Sequence, residues 1–173
     1  MTGDRAQEWK DAAMVQKYLR FSIIGFGVVL LDQVTKILVM HYMPLHDSIT
    51  IIPGFFSLTH VHNPGGAFGF MAQNSSPLRH WLFLLAAFFA LGMILYFYHQ
   101  TPRSHPFFGF ALALIFGGAI GNLIDRLRFG EVIDFLDVYV GYLHWPTFNV
   151  ADSAVTVGVI IFLSHVITKK MPL

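Results

Sequence analysis

The sequence predicts an all-α membrane protein: four transmembrane helices with a small extracytoplasmic β-rich platform and both termini in the cytoplasm. Three observations carry this expectation. The 173 residues are 55% hydrophobic and 12% charged, with a mean hydropathy of +0.59, too apolar for one soluble core of this size to hide. Four apolar segments are long enough to cross about 30 Å of hydrocarbon as helices. Lys and Arg gather where a cytoplasmic face would be.

The first span is expected over about 18–43, with Arg5, Lys10 and Lys17 before it and Arg20 at its start. Its late start, its length and the presence of Asp32 and Lys36, with no small-x-small cleavage site, read as a retained helix and not a cleaved signal peptide. The outer loop over about 44–77 contains no Lys or Arg, and "ITIIPGFFSLTHVHN" has the β-branched and aromatic residues of a short sheet, broken at Pro53-Gly54. "NPGGAFGF" follows as a glycine turn. The second and third spans are expected over about 78–98 and 107–127, joined by a short connection holding Arg103. A second outer connection, about 128–149, carries Phe129, Phe135, Tyr139, Tyr142, Trp145 and Phe148 and is expected to lie along the membrane interface, where such rings are favoured. The fourth span, about 150–168, stops at Lys169 and Lys170. With no repeat and no low-complexity linker, residues 1–173 read as one polytopic membrane domain.

Composition also excludes functions. There is no cysteine, hence no disulfide framework and no thiolate nucleophile or ligand. A net charge of +1 leaves no dense basic stripe for nucleic acid. His60 and His62 share one face of the expected strand but have no third ligand at a recognisable spacing, and H-E-x-x-H is absent, so no metal site is expected. Ser153 has no G-x-S-x-G turn around it. Gly117, Gly118 and Gly121 suggest close helix approach.

The polar residues of the spans fall at one depth. Asp32 and Lys36 are spaced i, i+4 and can pair. Asn122, Asp125 and Arg126 share one face of the third span. Asn149 and Asp152 open the fourth, where Asn149 can cap the helix and Asp152 suits its positive end. A charge at mid-membrane costs about 2.5–3.5 kcal/mol on insertion scales, so carboxylates gathered near one interface are candidates for function. Two carboxylates brought close share a proton, leaving one base and one acid, the requirement for hydrolysis by activated water. Spacing alone leaves open which two of Asp125, Asp134 and Asp152 form the pair. It also leaves two rivals: an ion-conducting transporter, which would spread polar groups through the membrane, and a non-catalytic assembly factor, whose carboxylates would be individually replaceable.

The blocks "DQVTK" (Asp32 to Lys36), "NPGGAFG" (Asn63 to Gly69), "GGAIGNLIDRL" (Gly117 to Leu127), "VIDF" (Val132 to Phe135) and "FNVADS" (Phe148 to Ser153) occur in one order. In that order and spacing the chain resembles the bacterial lipoprotein signal peptidase family, signal peptidase II. The resemblance implies an intramembrane aspartyl endopeptidase without metal or other cofactor. It would remove the signal peptide of diacylglyceryl-modified prolipoproteins by cutting before the lipidated cysteine. The catalytic aspartates it implies are Asp134 and Asp152. Residues that hold substrate or shape the site would be Asp32, Lys36, Asn63, Gly118, Asn122, Asp125, Arg126, Asn149 and Ala151. A multi-pass protein of the bacterial inner membrane is expected, active toward the periplasm, meeting membrane lipid and prolipoprotein as a monomer.

Overall fold

A computed structural model describes residues 2–65 and 77–168. Its elements run α1 (Thr2–Tyr42), β1 (Ser48–Ile52), β2 (Phe56–Asn63), α2 (Pro77–Gln100), α3 (Pro106–Phe129), β3 (Val132–Val140), β4 (Leu143–His144) and α4 (Val150–Ile167). Four helices are long and apolar enough to cross a membrane, with candidate spans at Glu8–Tyr42, Leu78–Gln100, Pro106–Phe129 and Val150–Ile167. Large apolar side chains stand outward on all four, among them Phe26, Phe89, Phe107 and Ile160, as expected where the solvent is lipid.

Two elements differ from the sequence expectation. Helix α1 begins at Thr2, well before residue 18, because Glu8, Lys10, Ala12, Ala13 and Met14 are good helix formers that extend the helix past its apolar run. The connection over 128–149 is not simply an interfacial run of aromatics. Its nine-residue strand β3 pairs antiparallel with β2, and β4 pairs antiparallel with β3, so the sheet order is β1-β2-β3-β4. The glycine turn at 66–70 and the stop at Lys169 and Lys170 lie outside the described residues.

Helix α3 is the centre of the bundle and packs against each of the other three. Lipid tails are as apolar as the side chains, so association depends on close packing, which small residues permit. A Cβ on Gly117 would stand 2.8 Å from the Gly25 carbonyl oxygen of α1, and one on Gly158 of α4 would stand 2.8 Å from the Ala111 oxygen of α3. A Cβ on Gly118 would overlap the Ala151 carbonyl oxygen and lie 2.7 Å from Val155 Cγ2. Gly118→Ala is therefore expected to lose about 1–3 kcal/mol by forcing α3 from α4, read as a lower unfolding midpoint in detergent. Gly92→Ala, whose added methyl group meets nothing within 4 Å, is the neutral control.

Sheet and bundle meet at the carboxyl end of α3. Gly130 closes the helix in the left-handed region, φ 79°, and donates its N–H to the Arg126 carbonyl. The chain turns there directly into β3, which sets Asp134 over the helix ends. Val39 and Met43 of α1 pack with Phe135 beneath the sheet.

Candidate active site

Five elements deliver polar side chains to this junction. Helix α1 brings Asp32, Gln33 and Lys36, α3 brings Asn122, Asp125 and Arg126, β2 ends on Asn63, β3 carries Asp134, and α4 opens with Asn149 and Asp152.

Lys36 is 1% exposed and uses all three ammonium protons. Its Nζ lies 2.9 Å from Asp32 Oδ2, 2.6 Å from Asp125 Oδ2 and 3.1 Å from Asn122 Oδ1. The paired carboxylates accept backbone protons as well. Asp32 Oδ1 accepts from Ala151 N–H at 2.9 Å, in the first turn of α4, and Asp125 Oδ2 accepts from Ile133 N–H at 3.2 Å, at the start of β3. One buried cation thus fixes α1 against α3, while its two partners fix α4 and β3. Gly121 makes room for this: a Cβ there would stand 2.6 Å from Asp32 Oδ2.

Gln33 belongs to the same network, and sequence reasoning missed it. Its Nε2 donates to Asp125 Oδ1 at 3.0 Å, to Asp32 Oδ2 at 3.2 Å and to the Gly121 carbonyl at 3.2 Å. Its place inside "DQVTK" was the available signal.

Asp134 and Asp152 make no direct contact with Lys36 and are held by asparagines, of which Asn122 also accepts from Lys36. Asn149 Nδ2 donates to Asp134 Oδ1 at 2.7 Å, and Asn63 Nδ2 donates to Asp134 Oδ2 at 3.0 Å. Asn122 Nδ2 donates to Asp152 Oδ1 at 2.7 Å. The two asparagines join through Asn149 Nδ2 and Asn122 Oδ1 at 3.1 Å. Asn149 also caps α4: its Oδ1 accepts from Asp152 N–H at 2.8 Å, while Asp152 Oδ2 accepts from Asn149 N–H at 3.3 Å. The capping expectation for this pair is met, and other atoms of the same two side chains reach Asn122 and Asp134.

The structure therefore separates the three candidate carboxylates. Asp125 is paired with Lys36, which it shares with Asp32, while Asp134 and Asp152 have amide and backbone donors instead of a cation in direct contact. Asp134 is 2% exposed and Asp152 is half-buried, so approach to the pair is from the Asp152 side. Burial, and after it the Asp152 charge, push the Asp134 carboxyl up to about 7; hydrogen bonds from Asn63 and Asn149 and the charge of Lys36 act in the opposite direction.

This has a consequence for stability. The folded-state value lies above the ordinary 3.8, so the unfolded chain releases this proton more readily. The favourable contribution is complete below the ordinary value and is lost as pH rises through about 7. Between pH values near 5 and 8, the unfolding midpoint of the wild type is expected to fall more than that of Asp134→Asn; equal falls would contradict the raised value.

The remaining expected residues are accounted for. Ala151 is fully buried, its N–H on Asp32 and its carbonyl against Gly118. Arg126 donates to the Gly65 carbonyl at 3.2 Å and stands over the Phe83 ring at 5.1 Å. His60 and His62 are engaged elsewhere, with His60 Nδ1 2.8 Å from the Met43 carbonyl and His62 Nδ1 3.4 Å from Glu131.

Four apolar helices, a short antiparallel sheet at one end and a buried carboxylate–asparagine network between them define a multi-pass membrane protein with a built polar site. The signature of the family described as Signal peptidase (SPase) II matches residues 24–168. The chain is 51% identical to the lipoprotein signal peptidase of Desulforapulum autotrophicum over 89% of its own length and 95% of the relative's. It is 44% identical to that of Syntrophus aciditrophicus over 91% and 98%. A bacterial membrane enzyme solved at 2.3 Å by the in meso method superimposes with a TM-score of 0.78 and 35% identity, covering 87% of this chain and 89% of that one. The chain belongs to the signal peptidase II family, a family of peptidases.

Proposed function

We propose that this protein is an intramembrane aspartyl endopeptidase that removes the signal peptide from diacylglyceryl-modified prolipoproteins, cleaving before the lipidated cysteine. The relatives named as lipoprotein signal peptidases support the substrate class. The observation that carries the chemistry is the linked pair Asp134–Asn149–Asn122–Asp152, two carboxylates on one asparagine bridge with no cation inserted between them.

In this reading the pair shares one proton and holds one water. The ionised carboxylate takes a proton from the water as its oxygen attacks the carbonyl before the cysteine. The protonated partner donates to the developing oxyanion, and a proton then passes to the departing amine as the C–N bond breaks. Asn149 and Asn122 fix the two carboxylates, Lys36 with Asp32 and Asp125 fixes the elements that carry them, and Asn63 and Arg126 hold the edge of the sheet over the site. Gly118 and Ala151 keep α3 and α4 close enough to bring the two asparagines into contact.

The whole chain acts as one membrane domain, and as a monomer. Both termini face the cytoplasm of a bacterium, and the sheet and dyad lie at the periplasmic surface of the inner membrane, where the lipid on the substrate cysteine would hold the scissile bond. Lys and Arg before the first span support this orientation, as does their absence from 44–77. The test is cleavage in detergent of a diacylglyceryl-modified prolipoprotein and its unmodified counterpart, with chelator present. Cleavage of the lipidated form alone, unaffected by chelator, is expected. Loss of activity on chelation, or equal cleavage of both forms, would overturn the reading.

A further inference from the structure

The opposite end of the bundle holds a second polar feature that the peptidase reading does not use. Asp32 follows Arg20 by twelve residues, about 18 Å along a helix at 1.5 Å per residue. There a half-open cavity of about 110 Å³ lies between α1 and the turn joining α2 to α3. Its lining includes the basic residues Lys17, Arg20 and Arg103 and the apolar residues Phe21, Ile24 and Phe110. Among the described residues, no carboxylate lines it.

Two of the three cations are held in place by bonds, and the third, Arg20, is exposed on α1 three residues beyond Lys17. Lys17 Nζ donates to the His99 carbonyl at 3.0 Å and stands 4.9 Å over the Tyr98 ring, whose hydroxyl donates to the Lys17 carbonyl at 2.6 Å. Arg103 donates to the Lys10 carbonyl at 3.1 Å. These bonds fix the interhelical turn to α1 and hold like charges around one opening. Each occupies one donor of a group that has three or five, so donors remain for an anion. Gathering cations without a lining acid is unfavourable until an anion enters.

We infer that this cavity binds the phosphate headgroup of an anionic phospholipid, with the lipid's glycerol and upper chain against Phe21, Ile24 and Phe110. Amphipathic lining favours a lipid over free phosphate, which would gain nothing from the apolar wall. The depth agrees: Lys17 and Arg20 stand where the apolar run of α1 begins, and Pro106 starts α3 at the same level. Basic pockets between helix ends suit acidic headgroups on electrostatic grounds. This inference rests on the membrane reading of the four helices and is independent of which aspartates are catalytic.

The test uses the full-length protein in mixed micelles of phosphatidylglycerol and phosphatidylcholine at equal amounts, followed by native mass spectrometry of retained lipid. The wild type is expected to retain phosphatidylglycerol about tenfold or more over phosphatidylcholine, and Arg20→Gln/Arg103→Gln to lose most of that preference. Cleavage of lipidated substrate by the variant in detergent should be unchanged, which separates this inference from the peptidase reading. Equal retention of the two lipids by the wild type would overturn it without any substitution. So would an unchanged preference in the variant, or displacement of the lipid by millimolar inorganic phosphate, which would make the site one for the free anion.

Discussion

Asp134→Asn and Asp152→Asn are each expected to lower cleavage of a lipidated prolipoprotein by about a thousandfold, the order for removal of an acid–base group. Asparagine keeps the shape of the side chain and one oxygen acceptor. At position 152 that oxygen can still take the Asn149 N–H and keep the start of α4, but the new NH2 then faces Asn122 Nδ2, so the unfolding control separates that lost bond from lost chemistry. The double variant should be little worse than either single one if, as proposed, the carboxylates work as one unit, since the second loss then removes nothing the first has left. The measurement is initial rate at saturating substrate, with thermal unfolding as the control for folding. A variant that unfolds normally and keeps a tenth or more of the wild-type rate would remove that residue from the pair. Independent, additive losses would argue against a shared proton.

Lys36→Met acts on the fold first. Methionine fills a similar volume, yet it leaves Asp32 and Asp125 buried with no cation, and breaking a buried pair in this way costs about 3–5 kcal/mol. The backbone donors Ala151 N–H and Ile133 N–H soften the effect but cannot supply a full charge. The expected results are a large drop in unfolding midpoint and poor recovery from the membrane. Lys36→Met/Asp32→Asn/Asp125→Asn should regain much of the lost stability, since it buries no unpaired charge. A stable single variant that lacks only activity would instead place Lys36 in the chemistry.

The four helices were legible in composition because crossing a bilayer demands about twenty apolar residues in a row, a requirement nothing else on the chain imitates. The polar cluster was legible for a related reason: carboxylates are rare at such depth, and Asp32, Asp125 and Asp152 stand out against Leu, Phe and Gly. Strand β3 was harder to see. "VIDFLDVYV" has strand-forming residues, but its partner β2 lies about eighty residues away at the pair Ser57 and Asp137, and pairing over that distance leaves no local trace. Gln33 was hidden by its neighbour. Adjacent residues on a helix point about 100° apart, so Gln33 reads as off the face of Asp32 until its reach to Asp125 is measured. The resemblance named Asp134 and Asp152 where spacing left three carboxylates open, and the salt bridge of Asp125 to Lys36 is a difference among the three that spacing does not carry.

The capping box at the start of α4 has a consequence for how the site can change over generations. Asn149 and Asp152 each give one side-chain atom to the helix start and the other to the polar network: Oδ1 and Nδ2 for Asn149, Oδ2 and Oδ1 for Asp152. A substitution that let the enzyme escape an inhibitor bound between the carboxylates would have to spare both the chemistry and the helix start. Few side chains meet those two demands together, so resistance at these positions has almost no viable route and must arise farther out, where a residue answers to one constraint at a time.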